Sequence, residues 1–461
     1  MLAKITNSRL VRKLSSLAGI SASAAMALSM ASPAAAVPSF AAQTGQACQA
    51  CHVGAFGPQL TAFGREFKLQ GYTMRSGGWN VPISAMAVAS YVQTQKAQAA
   101  PPASGFGTND NSGWDQFSIF VAGGLGSNLG AFIQTTYDGI GKAWSWDNLD
   151  IRAVKKVEFK GADVLLGASL NNNPTVQDPW NTTPAWGYPY TSSALAPSPA
   201  AGPLLAGGLA TNTLGVTTYA WINSTYYVEL GAYQSMGAQT LRRLGADPYG
   251  PGDISGVAPY GRIAMQKPFA NGILEVGAFG LQADIHPARD RSTGVTDNYT
   301  DLGLDTSWLY TTAGGSVLSL NARYTHEDQN LHATCLLGAG EGGPDPACTN
   351  NTMQDIRVDA SYYWQDKIGG TVAVFDTTAN ANAVLYPDAP TSKPNSSGAM
   401  FQVDGTPWGA TTSPLGPRFN MRVGAQYFVY QRFNGAARNY DGTGAKAGDN
   451  NTLRLFAWVA Y

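Results

Sequence analysis

From residue 81 onward, apolar and polar residues alternate with a period of two. Leu149, Ile151 and Ala153 alternate with Asn148, Asp150 and Arg152. Leu302, Leu304, Trp308 and Tyr310 alternate with Asp301, Gly303, Asp305 and Ser307. The pattern returns in Leu318, Leu320, Ala322 and Tyr324 against Ser319, Asn321 and Arg323, and in Ile356, Val358, Ala360, Tyr362 and Trp364 against Asp355, Arg357, Asp359 and Ser361. Alternation over about ten residues predicts strands with one apolar and one charged face. It does not say which face is outside, because a soluble sandwich and a membrane barrel are inverted with respect to each other.

The connections resolve that ambiguity. Short turns are expected near Gly126-Ser127, Lys160-Gly161, Asn223-Ser224, Ala270-Asn271, Ala313-Gly314 and Lys367-Ile368. Longer Gly-, Pro- and Asn-rich segments fall between them, at 95–112, 139–145, 172–212, 236–256, 285–298, 329–351 and 381–397. Short periplasmic turns alternating with long outer loops are the mark of an outer-membrane barrel. A weak alternation at Met400-Phe401-Gln402-Val403-Asp404 supplies one further strand within 399–407. Residues 408–417 then turn into Phe419, Met421, Val423, Ala425 and Tyr427, and the total becomes sixteen. An even count returns both chain ends to one side. The last strand, Leu453 to Tyr461, ends on an aromatic residue and resembles a barrel assembly signal. The expected fold is therefore all-β, a transmembrane antiparallel β-barrel of 16 strands, wide enough for a small plug.

Composition supports this reading. Only 13% of residues are charged, against about 25% in a typical globular protein. Glycine (53), tyrosine (21) and tryptophan (11) are abundant. Residues 1–36 read as a signal peptide: Lys4, Arg9, Arg12 and Lys13 precede an apolar run from Leu17 to Met30, and Ala34-Ala35-Ala36 offers a cleavage site. Their removal takes away four basic residues and no acidic one, leaving 25 Lys and Arg against 30 Asp and Glu. A net charge of −5 argues against a nucleic-acid partner.

Residues 37–80 have a different pattern. Pro58 to Leu69 predicts a helix, with Pro58 in the first turn, Gly71 past the end, and Leu60, Phe63, Gly64 and Phe67 on one face. Before it stands Cys48-Gln49-Ala50-Cys51-His52. Cys-x-x-Cys-His is the attachment sequence of haem c: two thiols bond the macrocycle and the histidine is the proximal iron ligand. A structural zinc would need two more Cys or His ligands, and none lies within 200 residues. Met74, just beyond the helix, is the candidate sixth ligand. Arg65, Lys68 and Arg75 are candidates to neutralise the propionates. Cys335 and Cys348 enclose 12 residues and are expected to form a disulfide in an oxidising compartment. Residues 37–80 thus form a small haem segment, and residues 81–461 the barrel. The segment is near the size below which a domain needs outside support, so it is expected to dock.

Three sets of motifs carry a family resemblance. Val37-Pro38-Ser39-Phe40 leads through Gln43-Thr44-Gly45 to the Cys-x-x-Cys-His run. Leu60-Thr61-Ala62-Phe63-Gly64-Arg65-Glu66-Phe67-Lys68 and Gly71-Tyr72 follow. Arg432-Phe433-Asn434-Gly435, Asn439-Tyr440-Asp441-Gly442 and Asp449-Asn450-Asn451-Thr452-Leu453 stand near the end. Together they resemble the fused monohaem cytochrome–porin family of the bacterial outer membrane, which includes iron-oxidising cytochromes. Val53-Gly54-Ala55-Phe56-Gly57-Pro58 departs from that family's more compact run. The resemblance implies one haem c on Cys48, Cys51 and His52. It also implies electron transfer from an extracellular donor, ferrous iron in the iron oxidisers, to a periplasmic cytochrome or other carrier. The contrasting expectation is a solute-conducting porin whose haem segment acts as sensor or gate.

Overall fold

The computed structural model describes residues 37–78, 81–338, 346–409, 413–416 and 418–461; residues 1–36, expected to be a signal peptide, lie outside them. Sixteen long antiparallel strands form a closed barrel. Closure is made by the first strand, Ile83–Thr94, against the last, Thr452–Ala460, with Met86 opposite Ala460 and Thr94 opposite Thr452. A two-residue strand, Asp253–Ile254, adds only a short edge beside Ile285 and His286. The weak sixteenth strand is present as Ser396–Gly405.

The alternation also reveals which face meets lipid. Leu302 and Leu304 are 60% and 59% exposed, whereas Asp301 and Asp305, which flank them, are 0% and 3% exposed. Val372, Val374, Phe401, Val403 and Leu455 likewise point out, while Arg422, Gln426 and Arg454 point in. A soluble sandwich would invert this. An apolar outside around a charged inside fits a bilayer, where closure satisfies every strand's hydrogen bonds. Exposed Trp114 and Trp144 mark one rim and exposed Phe159, Phe269 and Trp364 the other, as aromatic girdles do. Ala85 bonds Tyr461 at the short-turn end, so both strand termini lie on the periplasmic side. The chain is thus an outer-membrane β-barrel of porin type.

The lumen is filled by two inserted segments. The first is residues 37–78, with helices α1 (Pro38–Thr44), α2 (Cys48–Cys51) and α3 (Ala62–Leu69). The second is the connection between strands Ala162–Asn171 and Thr213–Ile222, which sequence reading placed among the outer loops. It folds inward instead, burying Val176, Asp178, Trp180 and Trp186. One apolar cluster joins all three layers: Phe56, Phe67 and Tyr72 of the plug, Met86, Phe120, Phe132 and Trp458 of the wall, and Val176 and Trp186 of the loop. Among the outer connections, Cys335 and Cys348 are disulfide-bonded, with Cα atoms 5.9 Å apart.

Candidate haem site in the lumen

The plug is short, and its path is set by close contacts. Helix α3 begins later than the sequence predicts. Thr61, rather than the turn at Pro58, is its cap: the hydroxyl accepts from the Gly64 amide and also donates to the Ala50 carbonyl. The segment 58–60 stays extended, and Leu60 bridges His52 instead of entering the helix. Gly64 lets α3 cross α2 at contact distance, since a Cβ there would stand 2.2 Å from the Cys51 carbonyl oxygen. Gly54 has φ +67°, and a Cβ on it would meet Tyr363 at 2.5 Å and Arg422 at 2.6 Å. Both glycines therefore hold the Cys-x-x-Cys-His turn in place, one from within the plug and one against the wall.

Cys48, Cys51 and His52 line one cleft with Val37, Phe40, Leu60, Phe67, Phe132 and Trp186. The cleft's water-accessible volume is about 70 Å³. The two thiols are half-buried and unbonded to each other. Burial, then the neighbouring Cys48, pushes the Cys51 thiol up to about 12, so it is protonated at neutral pH. Burial, then the charge of Arg422, pushes the His52 imidazole down to about 4, with the Gly57 and Gln59 backbones opposing. The imidazole is thus neutral, as a metal ligand must be. Its Nδ1 is buried without a hydrogen-bond partner. The paired thiols, the neutral imidazole and the largely apolar walls fit a covalently held haem.

Of the three basic candidates, only Lys68 reaches the cleft. Its Nζ lies 4.3 Å from the Trp186 ring centre and donates to Val176 O (2.8 Å) and Asn181 Oδ1 (2.6 Å). Arg65 turns to the wall instead, donating to Ser307 Oγ at 2.7 Å and Gln266 Oε1 at 3.3 Å. Arg75 donates to the Gly124 carbonyl at 2.7 Å. Met74 packs on the edge of the plug cluster and does not line the cleft. Asn181 and Trp186 come from the inserted loop, and sequence reading missed them. The density of Trp180, Trp186, Tyr188 and Tyr190 in a supposed outer loop was the available signal.

The plug is tied to the wall all round. Arg422 Nη2 donates to Gly54 O at 3.0 Å, Thr406 Oγ1 to the same carbonyl at 3.0 Å, and Asn420 Nδ2 to Ala55 O at 2.9 Å. Asp366 accepts from the Gly54 amide at 3.0 Å. On the other side Tyr72 donates to Asp150, Arg152 to Lys68 O, and Ser39 Oγ to Ala122 O.

No described protein family matches the chain, and no curated protein does. Solved structures with a similar outline are outer-membrane proteins. Pseudomonas putida OprB is 12% identical over 82% of this chain and 92% of its own, with a TM-score of 0.44. The outer-membrane channel DcaP of Acinetobacter baumannii is 12% identical over 82% and 96%, at 0.42. OmpT of Vibrio cholerae is 10% identical over 82% and 96%, at 0.41.

Proposed function

We propose that this protein is an outer-membrane electron conduit. Its plug holds one haem c on Cys48 and Cys51, with His52 as proximal ligand, and it passes electrons from an extracellular donor to a periplasmic carrier. The observation that carries this reading is the location of Cys48-Gln49-Ala50-Cys51-His52 on the wall of a largely apolar cleft inside a plugged lumen. A haem bound there would supply a one-electron ferric–ferrous couple. The chain's own part is to position and insulate. His52 offers a neutral nitrogen, Phe67, Phe132 and Trp186 exclude water, and Lys68 brings a cation to the cleft edge. Ferrous iron as donor is what the family resemblance suggests.

The filled lumen favours this reading over a solute channel with a gating segment, because both inserted segments bond the wall on many sides. The test is to express the full chain with a haem-attachment system and purify the mature protein. Haem that stays with the polypeptide through acid–acetone extraction, and whose reduced bands appear with dithionite, supports the cofactor. Rapid reduction by ferrous iron supports the donor. A protein that matures and folds without covalent haem would overturn the proposal.

A further inference from the structure

A second cavity lies on the other side of loop residues 184–188 from the haem cleft. Its water-accessible volume is about 170 Å³, between Gly187, Tyr188 and Ser193 on one side and wall strands on the other. Arg323 of strand Val317–Asn330 lines it. This side chain is 7% exposed and its Nε is buried with no hydrogen-bond partner. Its nearest carboxylate, Asp355, stands 4.0 Å away. Asp355 is already committed: Arg357 holds it through Nε at 3.0 Å and Nη2 at 3.1 Å, and Thr377 donates to it at 2.7 Å. Asp359 also lines the cavity, but it accepts from Asn321 at 2.8 Å and forms no ion pair with Arg323 among the described residues. Gly187 presses against the guanidinium, and a Cβ there would stand 2.9 Å from Nη1.

A buried guanidinium whose Nε has no partner, and whose ion pair with Asp355 is 4.0 Å long, is incompletely compensated, and native proteins rarely leave such a donor unexplained. The fork of an arginine matches a carboxylate better than any other common anion apart from phosphate. We propose that this vestibule binds a small organic monocarboxylate, with Arg323 as its ion-pair partner. Arg357, whose side chain is 33% exposed, stands at the mouth as a second cation. Met400, Phe375 and Phe428 supply an apolar wall for the ligand's carbon body. Asp355 is held by Arg357 and Thr377, and Asp359 accepts from Asn321, so of the two arginines Arg323 is the one with a donor to spare, and a polyanion is disfavoured by the two carboxylates. The inference rests on the barrel and its inserted loop, and requires neither haem nor electron transfer.

The test is calorimetric titration of the purified full-length mature protein with benzoate and, separately, with its neutral counterpart benzamide. Benzoate is expected to bind saturably at one site and benzamide not at all. Arg323→Gln is expected to weaken benzoate about tenfold or more, by loss of a charge-assisted pair. Arg438→Gln, on the exposed outer loop, is expected to leave it unchanged. Equal binding of benzoate and benzamide, no benzoate binding, or full affinity in Arg323→Gln would each overturn the proposal. If Arg323→Gln does not fold, the contrast between the two probes on the native protein decides.

Discussion

Replacing Arg422 with alanine removes one wall latch from the turn that follows Cys48–His52. The guanidinium is 2% exposed. It sits 3.1 Å from Asp404 as an ion pair, donates to Gly54 O at 3.0 Å, and stacks 5.1 Å from the Tyr363 ring centre. Removing one partner of a buried pair costs about 3–5 kcal/mol, mostly from the charge left behind. Asp404 keeps two other donors, Tyr363 Oη at 3.0 Å and Gln402 Nε2. That places the cost near the low end, about 3 kcal/mol. If the loss falls on the plugged state alone, the population of molecules with a displaced plug rises by about a hundredfold. Two readouts follow from this. Limited proteolysis of the purified barrel should cut between residues 37 and 78 far faster in the variant, and planar bilayers should show openings that the wild type lacks. Arg422→Met with Asp404→Leu removes both charges and should cost less than the single change, because no orphaned carboxylate remains. A single variant as resistant and as silent as the wild type would show that the plug does not depend on its wall contacts, and the filled-lumen argument would fail with it.

The remaining predictions concern other parts of the molecule. Cys48→Ser with Cys51→Ser should abolish covalent haem while the barrel still assembles; this is checked by heat-modifiable gel migration alongside a haem stain. Trp186→Ala empties the lid of the cleft and should destabilise the inserted loop by about 3–5 kcal/mol. Protease cleavage within 172–212, against an intact barrel, reports it. Cys335→Ser should loosen the outer connection 331–349 by about 3 kcal/mol. Its cleavage should quicken without a change in barrel stability, since the sheet pairs on either side run up to Asn330 and from Asn350 and the described residues between them add none. Tyr461→Ala should slow membrane assembly and leave the finished barrel's unfolding unchanged, because the side chain is 62% exposed.

The barrel was legible because bilayer and lumen make opposite demands on adjacent residues. A strand such as Asp297–Thr311 must place Asp301 and Asp305 inward and Leu302 and Leu304 outward, and that contrast is written in the order of the residues. The Cys48–His52 run stood out as a candidate haem site for a different reason: that chemistry needs five residues in a row. What was not legible depends on contacts between distant segments. Pro58 looks like a helix start, yet the Thr61 hydroxyl wins because it bonds both the Gly64 amide and the Ala50 carbonyl. Arg65 and Lys68 look alike on a helix face, yet three residues carry one to the wall and the other to the cleft. The inward turn of 172–212 was hidden by its proline- and glycine-rich composition, which describes an irregular path and says nothing about direction.

The two inserted segments are held by one recurring device. Arg152, Arg422 and Arg454 are buried on the wall, and each pairs with a wall carboxylate: Asp150, Asp404 and Asp115. Each then uses its remaining donors on a backbone carbonyl of an insert: Lys68, Gly54 and Thr191. Arg262 varies the theme, pairing with Asp305 and Glu275 of the wall and, at 3.4 Å, with Asp178 of the loop. A guanidinium has five donors, so neutralising it with one carboxylate still leaves donors to spare. In an open, water-filled pore those donors would face solvent and the carboxylates would suffice. Here they face carbonyls that water does not reach, and a buried carbonyl without a partner is itself costly. Barrel and inserts therefore satisfy each other: a barrel emptied of them would leave four arginines half-solvated, and inserts without the barrel would leave their turns unbonded.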